Sequence, residues 1–291
     1  MMARVSSMSP RRDGRVFDEV AAEYDRRRPT YPDELVDRAC RVAGIGAGDR
    51  VLEIGCGSGQ LTRSLAARGL QVTALEPGER LIALAEQNLA GVGQVEFAAA
   101  RFEDAQLPSS HFRAVFSASA FHWLDPEVSW QKAASLLACE GTLALLQYFG
   151  LEEERSAGDQ GELLSTLARI APEVAADWPS YRDLAATVAG AEQRRENVSE
   201  VWAWLGCHDV ARAEAASLFG DVQIAVVPML LEQSADELTG LLRTASFHQR
   251  ISPSQRRALE REHTEMLARL GRPIRSSTVA VLVTARRPTS I

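Results

Sequence analysis

The chain has 291 residues, of which 46% are hydrophobic and 24% charged, proportions that suit one large α/β domain with a cover or two modest domains. Its formal net charge of −7 argues against DNA or RNA as the main partner, because polyanion binding needs a basic face. No stretch approaches the roughly 20 apolar residues that span a bilayer, and the Arg-rich N-terminus lacks the apolar run of a secretion signal.

These features lead us to expect a cytoplasmic protein without a membrane partner. Cys40, Cys56, Cys139 and Cys207 lack the paired spacing of a zinc knuckle or redox motif. His208 and His263 have no carboxylate or cysteine at ligand spacing, so no metal is expected.

Residues 1–15 are polar and rich in Arg, Ser and Met, and disorder is expected there. From Val16 to Ala43 apolar residues fall at helical spacing, and Pro29 and Pro32 divide the stretch into two helices. An alternating region follows. Val51–Ile54 reads as a buried strand, Leu61–Ala67 as a helix, Val72–Leu75 as a strand stopped at Glu76-Pro77-Gly78, and Arg80–Leu89 as a helix.

Val95–Phe97, Ala114–Phe116 and Thr142–Leu146 read as further strands, with a helix over Trp130–Leu137. Residues 16–150 thus form one unit of βαβ pieces under an N-terminal helical cover. Residues 151–220 read as a helical insert or lid. Residues 221–291 hold two last strands, Val222–Val227 and Thr278–Thr284, around a charged helical insert over 234–271. The fold class is α/β: a Rossmann-like, seven-stranded, mostly parallel sheet with helices on both faces and a helical lid from the inserts.

Parallel sheets bind ligands beyond the carboxyl ends of their strands. Gly55-Cys56-Gly57-Ser58-Gly59 lies there, between the first strand and its helix. The spacing is GxGxG, not the GxGxxG that carries a pyrophosphate to a helix N-terminus. Glu53 precedes the loop, and Glu76 closes the second strand, where a carboxylate can accept both hydroxyls of a ribose. NAD and S-adenosylmethionine share that ribose. An acidic residue just upstream of the loop suits the positive amino-acid end of S-adenosylmethionine better than a phosphate.

These residues resemble the class I S-adenosylmethionine-dependent methyltransferases. VLEIGCGSGQLT (51–62) is similar to their first motif and QVTALEPG (71–78) to their second. RFED (101–104), AVFSASAFHWLDP (114–126) and EGTLALL (140–146) follow in the family's order. YDRRRPTYP (24–32) resembles the trans-aconitate methyltransferase-like, type 11 subgroup.

The resemblance implies S-adenosyl-L-methionine as cofactor and S-adenosyl-L-homocysteine as product. Gly55, Cys56, Gly57 and Gly59 would line the methionine part, Glu76 with Pro77 the ribose, and Phe102 with Glu103 the adenine. Ser117 and Ala118 would lie near the sulfonium, and Tyr24, Arg28 and Tyr31 would close over the cofactor, with Arg28 a partner for a carboxylate. The segment Ala99-Ala100-Arg101-Phe102-Glu103 lacks the family's usual Gly-Asp pair.

His122-Trp123 follows the fourth strand, where an acceptor would approach. His122 is a candidate general base or hydrogen-bond donor and Trp123 an apolar wall. Equally, His122 caps a loop and Trp123 packs as core. Ser246 and His248 are candidates for the acceptor pocket, with a solvated lid helix as the alternative. Trp178, Trp202 and Trp204 read as helix core or pocket walls.

The expected activity is methyl transfer to a small-molecule acceptor, with O-methylation of a carboxylate first and N- or C-methylation as the alternative. A monomer or homodimer is expected. An NAD-dependent oxidoreductase fits the loop spacing less well, and a methyltransferase fold with changed or no methyl transfer is a third reading.

Overall fold

The computed structural model describes residues 14–176, 181–208, 210–245, 248 and 250–289. Most of the stretch expected to be disordered, and Trp178 and Ser246, lie outside them. Gly14–Val20 forms a 3-10 helix, followed by α1 (Ala21–Arg27) and α2 (Asp33–Ala43). The two prolines separate these helices as their fixed φ requires. In α2, Leu35, Val36, Ala39 and Ala43 share one buried face, and Gly44 ends the helix at a φ of 61°.

The α/β region then runs β1 (Arg50–Ile54), α3 (Gln60–Ala67), β2 (Gln71–Glu76), α4 (Glu79–Asn88), β3 (Gln94–Ala99) and β4 (Phe112–Ala118). A short 3-10 turn, Phe121–Trp123, leads into α5 (Pro126–Leu136) and the long β5 (Leu137–Gly150). The helical stretch holds α6 (Glu154–Ile170), α7 (Pro172–Ala175), α8 (Leu184–Glu192), α9 (Val198–Trp204) and α10 (Ala215–Leu218). Finally β6 (Gly220–Gln233) and β7 (Ile274–Arg286) flank α11 (Ala235–Arg243) and α12 (Pro253–Leu270). Both of these last helices open on capping boxes, Ser234 with Glu237 and Ser252 with Gln255.

The seven strands form one sheet in the order β3-β2-β1-β4-β5-β7-β6. The pairs among β3, β2, β1, β4 and β5 are parallel, whereas β7 is antiparallel to both β5 and β6. The mostly parallel sheet expected from the sequence is therefore present, with the reversed strand at β7. The order reverses between β1 and β4, which opens a crevice at their carboxyl ends.

Alternation along the strands feeds two cores. Leu143 and Leu145 of β5 join Val279, Val281 and Val283 of β7 on one face, with Trp130 and Trp202. Ala144, Leu146, Ala280 and Leu282 point to the other face, against Leu35, Val36, Leu61 and Leu65. Helices thus cover both faces, and every buried strand must be apolar on both sides.

Trp202 is fully buried in the first core, and its indole Nε1 has no hydrogen-bond partner. Trp204 packs on the same core and donates to the Thr187 carbonyl at 3.0 Å. Both tryptophans are helix packing, away from the crevice. Trp202→Ala should cost about 3–5 kcal/mol of stability in urea unfolding. Trp202→Phe should cost far less, since it removes a donor that has no acceptor.

Candidate cofactor and acceptor site

The glycine loop is shaped by its glycines. Gly55 has a φ of 72°, and a Cβ there would come within 2.3 Å of the Ala120 Cβ. Any side chain would therefore push apart the ends of β1 and β4. The Gly55 and Cys56 N–H groups both donate to the Leu75 carbonyl, at 2.8 and 2.9 Å, which ties the loop to β2. Gly59 then caps α3 at a φ of 93°.

Glu76 completes this junction. Its Oε2 accepts from the Gly57 N–H at 3.1 Å and its Oε1 from the Gly78 N–H at 3.0 Å. Each carboxylate oxygen keeps lone-pair capacity for a further donor. Burial pushes the Glu76 pKa up to about 7; the two backbone bonds oppose this, and the Asp18 charge adds to it. Glu53, behind the loop, is also pushed up to about 7 by burial, with Thr62 opposing and Glu76 adding. The Glu53 Oε2 atom is buried without a hydrogen-bond partner.

A cavity opens in front of the loop. Gly55, Gly57, Glu76 and Pro77 form its floor, and Phe102, Glu103 and Ala118 its sides. Phe17, Tyr24 and Trp123 also line it. The Tyr24 Cε1 would lie 3.3 Å from a Cβ on Gly57, and the Phe17 ring lies 5.6 Å from both Tyr24 and Trp123. Glu103 accepts from the Asp125 N–H at 3.0 Å, which fixes the wall beside Phe102.

The remaining expected residues that the structure describes are not among those that line the cavity. Cys56 and Gly59 support the loop from below. The Ser117 hydroxyl, expected near the sulfonium, is buried and donates to the Ile54 carbonyl at 3.0 Å, bridging β4 to β1. Arg28 lies 5.1 Å over the Tyr24 ring and donates to the Thr244 carbonyl at 2.6 Å, while its buried Nε has no partner.

Tyr31 stacks on Tyr148 at 4.5 Å and bonds Ser119 at 2.6 Å. His248 sits by α11 and α12, where burial and the charges of Arg256 and Arg243 push its pKa down to about 4 and Glu260 opposes. It is not among the residues that line the cavity.

His122 lies beside Trp123, with ring centroids 5.2 Å apart. Its Nδ1 is 3.2 Å from the Gln147 Nε2. Burial, His208 and Arg28 together push its pKa down to about 4. Ser119, held at a φ of 52°, donates to the Gln147 Oε1 at 2.7 Å.

The sequence reading missed three contributors. Asp18 accepts from the Arg80 and Leu81 N–H groups at 2.7 and 3.0 Å, docking the N-terminal segment onto α4. Ser119 carried no signal in its sequence neighbourhood. Gln147 did: it is the one amide in the apolar strand run Leu143–Phe149.

The strand order brings the glycine loop and Glu76 together at the cavity. Residues 52–145 match the family described as “Methyltransferase domain”.

An uncharacterized methyltransferase of Mycobacterium tuberculosis is 33% identical over 134 residues, 45% of this chain and 51% of that protein. A ubiquinone biosynthesis O-methyltransferase of Xanthomonas campestris is 37% identical over 110 residues, 37% of this chain and 45% of the relative. The chain spans about half the length of the curated relatives it matches. The fold is similar to that of the YcgJ protein of Bacillus subtilis, at a TM-score of 0.51 and 15% identity, over 88% of this chain and 99% of that one. Among the described residues no helix is long and apolar enough to cross a membrane.

Two carboxyl groups with raised pKa values bind more protons in the folded chain than in the unfolded one between pH 4.5 and about 7. Stability should therefore fall as pH rises through that window, by up to about 3 kcal/mol per group. Urea midpoints measured from pH 5 to 8 should show the decline, and Glu53→Gln should flatten it. A flat profile in the parent protein would refute the burial argument.

Proposed function

We propose that the protein transfers the methyl group of S-adenosyl-L-methionine to a small-molecule acceptor, with a carboxylate as the acceptor group and O-methylation as the outcome. The Glu76 carboxylate carries this reading. It is buried on the cavity floor, held by two N–H groups, with lone pairs left for ligand hydroxyls. The acidic interior made by Glu53 and Glu76 suits a cationic ligand and disfavours a pyrophosphate.

Phe102 and Pro77 offer apolar surface for a base. When bound, the cofactor supplies a methyl group on a positively charged leaving group. Gly55, Gly57 and Glu76 would hold and orient it. Phe17, Tyr24 and Trp123 would exclude water. Alignment of acceptor and methyl group would then provide most of the rate.

A carboxylate is already ionised at pH 7 and asks for no base. Arg28, whose buried Nε has no hydrogen-bond partner, supports an anionic acceptor. The O-methyltransferase among the relatives supports oxygen as the acceptor atom.

Calorimetry should detect S-adenosylmethionine binding and no comparable binding of NAD. Glu76→Ala should weaken that binding by about 1–3 kcal/mol, roughly 5- to 150-fold in Kd. Unchanged affinity would remove Glu76 from the ribose site. In a screen of acids, amines, phenols and nucleic acids, S-adenosylhomocysteine should form with small organic acids. Transfer only to nucleic acid would refute the small-molecule reading. His122→Ala should lower turnover more than cofactor affinity, and equal losses would make His122 structural.

A further inference from the structure

We propose that Gln147 is a positioning residue whose amide fixes His122 with its proton on Nε2, making His122 a hydrogen-bond donor to the acceptor and not its general base. The link to an acceptor rests on the methyltransferase reading; the proton's place on the ring does not.

The argument follows from which groups can only donate. The Tyr148 backbone N–H lies 3.3 Å from the Gln147 Oε1. An N–H cannot accept, so the amide atom facing it is the oxygen, and the amide is oriented one way round. The Ser119 hydroxyl donates to the same oxygen at 2.7 Å. Having given its proton there, Ser119 accepts from the Tyr31 hydroxyl at 2.6 Å.

The Gln147 NH2 group then faces the His122 Nδ1 at 3.2 Å. An amide NH2 only donates, so Nδ1 presents a lone pair. A neutral imidazole with a bare Nδ1 carries its hydrogen on Nε2. One direction of donation thus runs from Tyr31 through Ser119 and Gln147 to His122.

Protonating His122 would set an Nδ1–H against the amide NH2, two donors face to face. The surrounding charges oppose protonation as well. Arg28 comes from the N-terminal cover and His208 from the segment after α9, and both disfavour a second positive charge. The His208 Nε2 lies 3.1 Å from the Phe121 carbonyl, a bond that only an N–H can make. Cys207 touches Gln147 and stays a neutral thiol, its pKa raised by burial.

An Nε2–H cannot take a proton from an incoming nucleophile. It can steady a lone-pair oxygen that is already deprotonated. The chemistry then balances without a base. The acceptor's carboxylate oxygen gives its electron pair to the methyl carbon, the carbon–sulfur pair stays on sulfur, and the negative acceptor becomes a neutral ester. An amine or phenol acceptor would need its proton removed by another group.

The experiment is a long-range proton–nitrogen correlation spectrum of the full chain with 15N-labelled histidine, followed from pH 8 to 5. The His122 signals are assigned by their loss in His122→Asn. We expect the Nε2–H pattern for His122, unchanged across that range. In Gln147→Glu the new carboxylate accepts from Nδ1–H, so the proton moves to Nδ1 and the ring's titration midpoint rises by about 1–3 pH units.

An Nδ1–H pattern in the parent protein, a midpoint near the ordinary histidine value, or an unmoved proton in Gln147→Glu would each overturn the proposal. If Gln147→Glu fails to fold, the parent spectrum alone still decides. Binding of S-adenosylmethionine to the same samples separates the two readings: its absence would refute the cofactor assignment without moving the histidine signals.

Discussion

The bond between the Gly57 N–H and the Glu76 carboxylate is the joint on which the cavity depends. It links the loop after β1 to the end of β2, two elements that meet only because the strands are parallel neighbours. Parallel pairing aligns their carboxyl ends, so the loop and the acid arrive at one edge. The Leu75 carbonyl strengthens the joint by accepting from both Gly55 and Cys56. The same acid also holds Gly78, and so sets where α4 begins. One side chain therefore fixes the loop, the strand end and the next helix. Its cost is a buried carboxyl group, which shows as a raised pKa.

The roof is attached by bonds of another kind. Asp18 reaches α4 from the N-terminal segment, and Arg28 reaches the Thr244 carbonyl beyond α11. Tyr148 donates to the Thr30 carbonyl at 2.7 Å, and Tyr31 stacks on the same ring. These contacts join segments far apart in sequence, and they add to the apolar packing of Tyr31, Leu35, Val36 and Ala39 in the second core.

Much of this was legible in the sequence because it is local. The strand and helix runs of residues 50–150 follow hydrophobic periods, and the glycine loop and Glu76 sit at fixed offsets from strand ends. The tertiary contacts were not legible. Ser117 and Ser119 are two residues apart on one strand end, and their sequence does not say which hydroxyl serves the site. Pleating sends Ser117 to the Ile54 carbonyl, while the turn at a positive φ aims Ser119 at Tyr31 and Gln147. His248 likewise lies a few residues beyond Thr244, whose carbonyl Arg28 meets, yet it is not among the residues that line the cavity. Gln147 could have been singled out, because an amide inside an apolar strand must find partners or be penalised. Naming His122 as its partner required the fold.

The proton inventory of the site follows from the same burial. Glu53 and Glu76 are raised toward neutrality and His122 is lowered away from its charge. The Arg28 charge adds to the effect at His122. Both acids are placed at the loop, on the side assigned to the cofactor, and neither is placed at His122. On the proposed reading, no base for the acceptor comes from the described residues at the end of the fourth strand, and the histidine there faces a donor. Such a site favours a nucleophile that brings its own negative charge. On the proposed reading the sulfonium needs little activation, so the protein's remaining task is alignment. Gln147 matters for that task because a donor fixed in direction restricts where an anionic oxygen can sit. A histidine free to exchange tautomers would hold acceptors in more than one pose.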